Sequence, residues 1–413
     1  YNSIFNSLFL RYIYNFIMIQ LPKITTKVIS VKLRPKAERM VKKRHPWVFD
    51  DSIVKINNEG NSGDVVVVYD NKKNKFLACG LFDPYSPIRI KLLQFLKPVT
   101  LNDEFFKSRI ATAFEKREVL LATDTNSYRF LFGEADGFPG FIADVYANVL
   151  VVKIYSAIWF PYLESIVSNL LDSSNCDTVV LRMSRNVQKL KNTYGLHDGQ
   201  VIHGVLEDNV VVFKEHGVNF SANVIHGHKT GYFLDHRANR KRVGELSKNK
   251  KVLDVFSYAG GFSVHALANE ATEVTSLDIS AQALEMAVKN GNLNVYSGTH
   301  KTITDDAFVG LAQLYKEKQT FDVVVIDPPS FAKSSKEIDR AKHSYSRLAR
   351  LGARLVSKNG LLVLASCSSR IIAEDFFDIC EAEIQNSSRK FEIIDKTYHD
   401  SDHPKTEGFP EGA

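Results

Sequence analysis

Cys367, in Ser366-Cys367-Ser368, follows the apolar run Leu361–Ala365. Asp327, with Pro328 and Pro329 behind it, follows Val323–Ile326, and Asp278 follows the run Glu273–Leu277. Asp254 lies inside Lys251–Phe256, which runs into the turn Ser257-Tyr258-Ala259-Gly260-Gly261. A cysteine at a strand end is a candidate nucleophile once ionised. Most single cysteines are inert core residues, and Cys79, Cys176 and Cys380 are read that way. Two prolines stiffen the loop after Asp327 and remove two backbone donors. What is left is a fixed edge where the carboxylate and main-chain carbonyls can bind an amino-bearing ring, with Phe331 as a stacking face. The glycine turn lets backbone approach a ligand closely, because no side chain blocks it. A carboxylate 24 residues after Asp254, at Asp278, can accept hydrogen bonds from ribose hydroxyls.

Two ligand classes use a strand, a glycine turn and a distal acid. A dinucleotide needs GxGxxG so that its pyrophosphate can rest on the helix N-terminus. Here Tyr258 or Ala259 stands at the first glycine and Ser263 at the third. S-adenosylmethionine carries no phosphate and needs only a tight turn below its amino-acid end. The pattern favours such a methyl-donor site, built from Asp254, Tyr258, Gly260, Asp278 and Asp327. Asp305 and Asp306 stand where a third strand would end and could meet the adenine edge. The chemistry that needs a thiolate beside a methyl donor is methylation of a pyrimidine carbon. A thiolate adding at C6 makes C5 enamine-like, and loss of the C5 proton later expels the thiol. The base must be unstacked to be reached from both sides. Asp327, bridged to the ring N3 and exocyclic amine, would stabilise the adduct.

Those side chains need a sheet to hold them. From about Lys250 strands and helices alternate: strands at Lys251–Phe256, Glu273–Leu277, Phe321–Ile326 and Leu361–Ala365, helices near Ser263–Asn269, Ala281–Asn290 and Ser344–Ser357. This predicts a parallel, Rossmann-like α/β sheet covered on both faces, with ligands beyond the carboxyl ends of its strands. Lys27–Lys97 shows short strands and turns, with strands at Asp64–Tyr69, Phe76–Phe82 and Ile88–Leu93, and is read as a small all-β unit. A helix over Leu101–Leu121 follows. Strands at Val149–Ile154, Thr178–Met183 and Val210–Phe213, a helix over Trp159–Leu171 and the turn cluster Gly133–Gly140 make an α+β middle domain. The expected boundaries are 27–98, 99–220 and 221–413, with residues 1–26 as an extension outside the fold.

The composition, with 44% apolar and 24% charged residues in 413, is that of a soluble multidomain protein. Four scattered cysteines without a CxxC pair argue against disulfides and a zinc site, and for a reducing, cytoplasmic setting. Lys27–Lys55 holds nine Lys/Arg against three acids, an excess equal to the whole net charge of +6. Such a segment points to a polyanion, and Arg39, Lys42, Lys43 and Arg44 are its candidate RNA contacts; the bland reading is a solvated surface. Tyr1–Gln20 is rich in Phe, Ile, Tyr and Asn, is interrupted by Arg11, and lacks the basic start and cleavage site of a signal peptide. With no other run long enough to span, no membrane partner is expected. Gly227–Arg240 is dense in polar and aromatic residues and ends in a basic helix. Its plain reading is a helix capped by Asp235; its functional reading puts Phe233, Asp235 and Arg237 over the cofactor. His228 and His236 are read as surface residues.

Together these motifs resemble the class I S-adenosylmethionine-dependent ribosomal RNA methyltransferases with an N-terminal PUA domain, and most of all their bacterial large-subunit cytosine-C5 subfamily. Leu33-Arg34-Pro35 with Arg44–Phe49 is similar to the start of the PUA domain, Thr125–Arg129 and Gly133–Gly140 to the middle domain, and Lys229–Arg237 to the cofactor-covering segment. Asp327–Phe331 and Ser366–Ser368 match the catalytic loops. The resemblance implies cofactor contacts at Phe233, Asp235, Arg237, Asp278 and Asp306, a nucleophile at Cys367, and ribosomal RNA as partner. Another class of cytosine methylases has a second cysteine after the paired prolines; Ser330 stands there, so a single-cysteine scheme applies. The family continues past Phe409-Pro410-Glu411-Gly412 with another strand, so the last sheet strand is expected to be missing and an edge unpaired. A homodimer is left open. The rival readings are RNA methylation at uridine C5 or an exocyclic nitrogen, an RNA-binding protein with a degenerate methyltransferase domain, and a nucleotide-dependent oxidoreductase.

Overall fold

The computed structural model of the chain describes residues 19–332, 334–387, 389–406 and 408–409. The expected extension therefore lies largely outside the described residues. Residues 19–26 are the exception: Leu21 is buried with the aromatic core of the middle domain and Ile24 packs against it, so the chain enters the fold before Lys27. Two units are distinguished. One takes in the chain up to Lys214, Ser221–Asp235 and the stretch from His399 on; the other is Glu215–Phe220 and His236–Tyr398.

The first unit holds two sheets. β1 (Val28–Leu33), β2 (Trp47–Phe49), β3 (Ile53–Ile56), β4 (Val65–Tyr69), β5 (Phe76–Phe82) and β6 (Ile88–Phe95) form a six-stranded sheet in the order β2-β6-β5-β4-β1-β3. β4 shows why: in Val-Val-Val-Val-Tyr alternate residues are buried, and Val66 and Val68 reach the core. This unit is not all β. Helix α1 (Pro35–Lys42) starts at a proline and buries Glu38 and Val41, an amphipathic pattern hidden in a stretch read only for its charge. β7 (Ser127–Phe132), β8 (Phe141–Tyr146), β9 (Val149–Ile154), β10 (Thr178–Met183) and β11 (Gln200–His203) form the second sheet, in the order β11-β10-β9-β8-β7.

The helix expected over Leu101–Leu121 breaks into α2 (Asp103–Glu115) and a short turn, Glu118–Leu121. The cause is Arg117, which is fully buried and donates to Asp136, to Ala113 O and to Arg129 O. The turn cluster at Gly133–Gly140 thus supplies an internal anion, Asp136, for a buried arginine. The predicted helix at Trp159 opens as a 3-10 segment, Ala157–Tyr162, with Pro161 inside, and becomes α3 only at Leu163–Asp172. The stretch from His399, expected with the third domain, belongs to the first unit. Asp402 there is buried, takes the Arg129 N–H at 2.9 Å, and its carbonyl accepts from Arg117 at 3.1 Å. β12 (Val210–Glu215) and β13 (Val218–Asn223) form a two-stranded ribbon whose tip belongs to the second unit.

The second unit is the predicted α/β sheet. α4 (Arg237–Glu245) leads into β14 (Lys251–Val255), α5 (Gly261–Ala268), β15 (Glu273–Asp278), α6 (Ala281–Gly291), β16 (Thr299–Thr304), α7 (Ala307–Lys316), β17 (Phe321–Ile326), α8 (Ile338–Leu355), β18 (Val356–Leu364) and α9 (Ala373–Asn386). The strand order is β16-β15-β14-β17-β18, and every neighbouring pair is parallel. Apolar side chains on both faces of β14 and β17 feed two cores, one with Leu253, Val324 and Leu348, the other with Val252, Val323 and Phe262. α7 and α9 were not foreseen, and β18 begins at Val356, five residues before its expected start. The chain runs outward from β14 to β16 and then resumes beside β14 at β17. That reversal is a topological switch point, and sheets of this kind bind ligands past the carboxyl ends of their strands there.

Candidate active site

The strand ends at this switch point are held level. Phe256 N–H and Ser257 N–H donate to Leu277 O, Asp327 N–H to Val255 O, and Ala365 N–H to Ile326 O. Level ends bring Asp278, the Phe256–Gly260 turn, Asp327 and Cys367 to one edge.

The turn after β14 is backbone of an uncommon kind. Phe256 (φ 62°), Tyr258 (φ 48°) and Gly260 (φ 78°) all lie in the left-handed region. Two non-glycine residues there cost energy that the surroundings must offset. Asn290, buried on α6, donates to Ala259 O at 2.9 Å and clamps the turn. Gly260 also has a packing reason. A Cβ there would lie 2.7 Å from Ala287 Cβ, so its missing side chain admits helix α6. Asp278 shapes the same turn: Tyr258 N–H donates to its Oδ2 and Ser280 N–H to its Oδ1, both at 2.9 Å.

Asp254 is 1% exposed. Burial drives its carboxyl up to about 7; Ser263 donors work against this, and Asp327 and Asp278 add to it. Asp254 Oδ1 is buried and has no hydrogen-bond partner among the described residues. Asp306 caps α7, its Oδ1 accepting from Phe308 N–H and Val309 N–H.

At the reactive end, the Cys367 thiol is exposed and donates to Pro328 O at 3.6 Å. The structure thus joins the two loops that the sequence placed separately. Cys79 and Cys380 are buried and Cys176 partly so, and burial pushes their thiols to about 11, 12 and 12 respectively. His236, read as a surface residue, is only 12% exposed at its side chain, and its Nε2 lies 3.7 Å from Asp327 Oδ1. It is also the N-cap residue of α4, so Asp235 does not take that role. Phe331 is half-buried; its ring meets Tyr345 edge-on at 5.3 Å, which uses part of the face foreseen for stacking. Tyr345, on α8, ties both loops: its hydroxyl also accepts from Ser366 Oγ at 2.9 Å. No local pattern marks Tyr345, whereas His236 could have been noticed from its place beside Arg237.

Arg237 is fully buried at the start of α4. Below it, Glu215 binds Arg240 through both oxygens (2.7 and 2.6 Å) and His265 Nε2 at 2.9 Å. Phe233 and Asp235 lie in the first unit, with the Lys229 ammonium 4.7 Å from the Phe233 ring centroid. On α1 and just after it, Arg39, Lys43 and Arg44 are exposed, while Lys42 is engaged by Glu38 (2.5 Å) and Asp70 (2.8 Å). Among the described residues no group of His, Cys, Asp and Glu could hold a metal ion, and no helix is long and apolar enough to cross a membrane.

A model of S-adenosylmethionine-dependent methyltransferases matches residues 202–406, and a model of PUA-like domains matches residues 31–95. A ribosomal RNA large subunit methyltransferase of Deinococcus radiodurans is 41% identical over 381 residues, covering 91% of this chain and 93% of that protein. This chain belongs to the S-adenosylmethionine-dependent ribosomal RNA large subunit methyltransferase family. The ribosomal RNA large subunit methyltransferase I of Pseudoalteromonas atlantica, another family member, is 34% identical over 92% of this chain and 96% of its own length. In fold, the family architecture extends to a candidate methyltransferase of Streptococcus mutans (TM-score 0.75, 21% identity, 93% of this chain and 97% of that one). A second solved methyltransferase, in complex with S-adenosylhomocysteine, superposes with a TM-score of 0.74 at 22% identity, over 94% of this chain and 97% of that one. The family's cofactor is S-adenosylmethionine, which sets the dinucleotide reading aside.

Proposed function

We propose that this chain methylates C5 of a cytosine in large-subunit ribosomal RNA, by way of a covalent bond between Cys367 and the base. The observation that carries the reading is the meeting of the Cys367 thiol with the Asp327-Pro328 loop, 3.6 Å from Pro328 O. The names of the relatives supply the substrate class. When bound, S-adenosylmethionine supplies an electrophilic methyl group. The residues present suit it: the unpartnered, buried Asp254 Oδ1 matches its ammonium group, and Asp278 keeps lone pairs for ribose hydroxyls. Tyr258, Gly260 and Asp306 flank that position, and the family likeness adds Phe233, Asp235 and Arg237.

Asp327 grips the ring N3 and exocyclic amine of an unstacked cytosine, with His236 Nε2 3.7 Å from its carboxylate. The Cys367 thiolate adds to C6, forming a C–S bond and moving electron density to C5. Once C5 carries the methyl group, a base removes the C5 proton, the C5–C6 double bond returns and the thiolate leaves. The PUA-like domain holds RNA through Arg39, Lys43 and Arg44, on and just after α1, which position phosphates without reading sequence. A cytoplasmic site of action belongs to the same reading.

The test is to incubate unmodified large-subunit ribosomal RNA with the protein and labelled cofactor, then map the nucleosides by mass. 5-Methylcytidine is expected. 5-Methyluridine or an N-methyl nucleoside would overturn the cytosine-C5 assignment.

A further inference from the structure

A chain of hydroxyls runs beside the cofactor edge of the second unit. Ser263, in the first turn of α5, donates to Asp254 Oδ2 through its backbone N–H (3.0 Å) and its Oγ (2.7 Å). Ser263 Oγ lies 2.6 Å from Ser276 Oγ on β15, and Ser276 Oγ lies 2.8 Å from His300 Nε2 on β16. Asp254, Ser263 and Ser276 are all buried, so bulk water does not compete for these bonds.

The proton count sets a direction. An ionised carboxylate only accepts, so Ser263 Oγ gives its single proton to Asp254. Ser263 must then accept from Ser276, and Ser276 from the Nε2–H of His300. Every donor points toward Asp254. Burial disfavours the charged imidazole, and donation to Ser276 places the proton of the neutral ring on Nε2, leaving the buried Nδ1 as the bare nitrogen. At the other end of the chain stands the unpartnered Asp254 Oδ1.

We propose that Ser276 and His300 are positioning residues for the cofactor: through this directed chain they hold Asp254 ionised, with Oδ1 open to the cofactor's ammonium group. The inference rests on the reading of Asp254 given under Proposed function. The carboxylate needs such support, because burial, Asp327 and Asp278 all favour its neutral form. The other titratable groups around the chain do not replace it. Tyr258 is pushed up by burial and by Asp278 and stays neutral. His265, on α5, is taken by Glu215. Glu285 and Lys289 lie on the exposed face of α6. Lys301 follows His300 on β16, so strand alternation turns it to the other face, where it pairs with Glu273. Tyr296 is a neighbour of His300 at Gly291 and bonds Asn292.

The sign follows. Breaking the chain weakens the donors to Asp254 and raises the pH at which it ionises, so affinity for a cationic ligand is lost first on the acid side. Calorimetric titration with S-adenosylhomocysteine, which carries the same ammonium group, reads this without turnover. In the unmodified chain affinity should fall as pH drops through about 7. Ser276→Ala and His300→Leu should move that fall upward by about half to one pH unit. At pH 7 this is a loss of roughly two- to fivefold, with affinity at the alkaline end within about twofold. His300→Gln, whose amide can donate in place of Nε2–H, should keep the original profile. Unshifted profiles in Ser276→Ala and His300→Leu, with affinity lost in Asp254→Asn, would end the proposal and leave the Asp254 site standing. A uniform loss at every pH in those two variants would mark a merely structural role and also end it. Wild-type binding by Asp254→Asn would instead refute the reading of the site beneath.

Discussion

Cys367→Ala separates chemistry from binding. The residue is exposed, so truncation leaves no enclosed cavity, and its S–H···O contact to Pro328 is long at 3.6 Å. A bond of that kind is worth at most about 1 kcal/mol. In a unit of this size that moves the melting temperature by roughly 2–4 °C. The acids proposed for the cofactor sit on other strands, Asp254 on β14 and Asp278 on β15, so the affinity for S-adenosylhomocysteine should stay within about threefold. Turnover should not survive. Removing an essential nucleophile costs roughly 10⁴- to 10⁶-fold in enzymes that depend on one. At about 1.36 kcal/mol per tenfold, this is roughly 5–8 kcal/mol of barrier. Transfer of a labelled methyl group into unmodified large-subunit RNA measures it. RNA carrying 5-fluorocytidine adds a second readout, because fluorine cannot leave C5 as a proton does. The unmodified chain should be trapped as a band stable to denaturation, and Cys367→Ala should not. Methyl transfer within about tenfold of the unmodified rate would refute the covalent scheme and favour an exocyclic nitrogen as target.

A maleimide at neutral pH should label Cys367 first, since burial holds the Cys79, Cys176 and Cys380 thiols at about 11 to 12; peptide mapping that finds another site labelled first would contradict this. Tyr345→Phe removes the acceptor for Ser366 Oγ, a bond worth about 1 kcal/mol. It should lower kcat several-fold with cofactor affinity unchanged; an unchanged kcat would show that the loops need no such tie. Glu215→Gln leaves Arg240 and His265 facing a neutral amide in a fully buried place and should destabilise the second unit by about 3–5 kcal/mol in urea unfolding. Burial alone would raise the Glu215 carboxyl, but Arg240 and His265 outweigh it and hold it well below its ordinary 4.5. Its contribution is therefore present above that value and lost as pH falls toward the folded-state one, a slope that the variant should lack. Gly260→Ala meets both a φ of 78° and Ala287 at 2.7 Å, so a loss of about 1–3 kcal/mol is expected in the same assay, and a neutral result would mean that α6 can shift.

Much of the second unit was legible because its strands are nearly continuous apolar runs between polar turns. Such short runs, alternating with helical patterns, fit buried parallel strands, and the chemical residues mark where they stop. Helices α7 and α9 escaped notice because alanine, glycine and acidic residues dilute their apolar stripes, and α1 because its charge drew attention away from its period. The break at Arg117 could not be read at all, since an arginine is ordinarily a surface residue, and its burial depends on acceptors that include Asp136 and Asp402, distant in the chain.

By itself the amino-acid order determined which residues can react and along which strands they lie: a thiol, three acids and a glycine turn, each tied to a neighbour within a few positions. Distances across the sheet were decided by tertiary structure alone. The approach of Cys367 to Pro328, the place of His236 beside Asp327, the tie at Tyr345 and the hydroxyl chain from His300 to Asp254 join residues on different strands and helices. Local propensity acts over a few residues, whereas strand order and helix packing select which distant side chains meet, and no spacing along the chain encodes that choice.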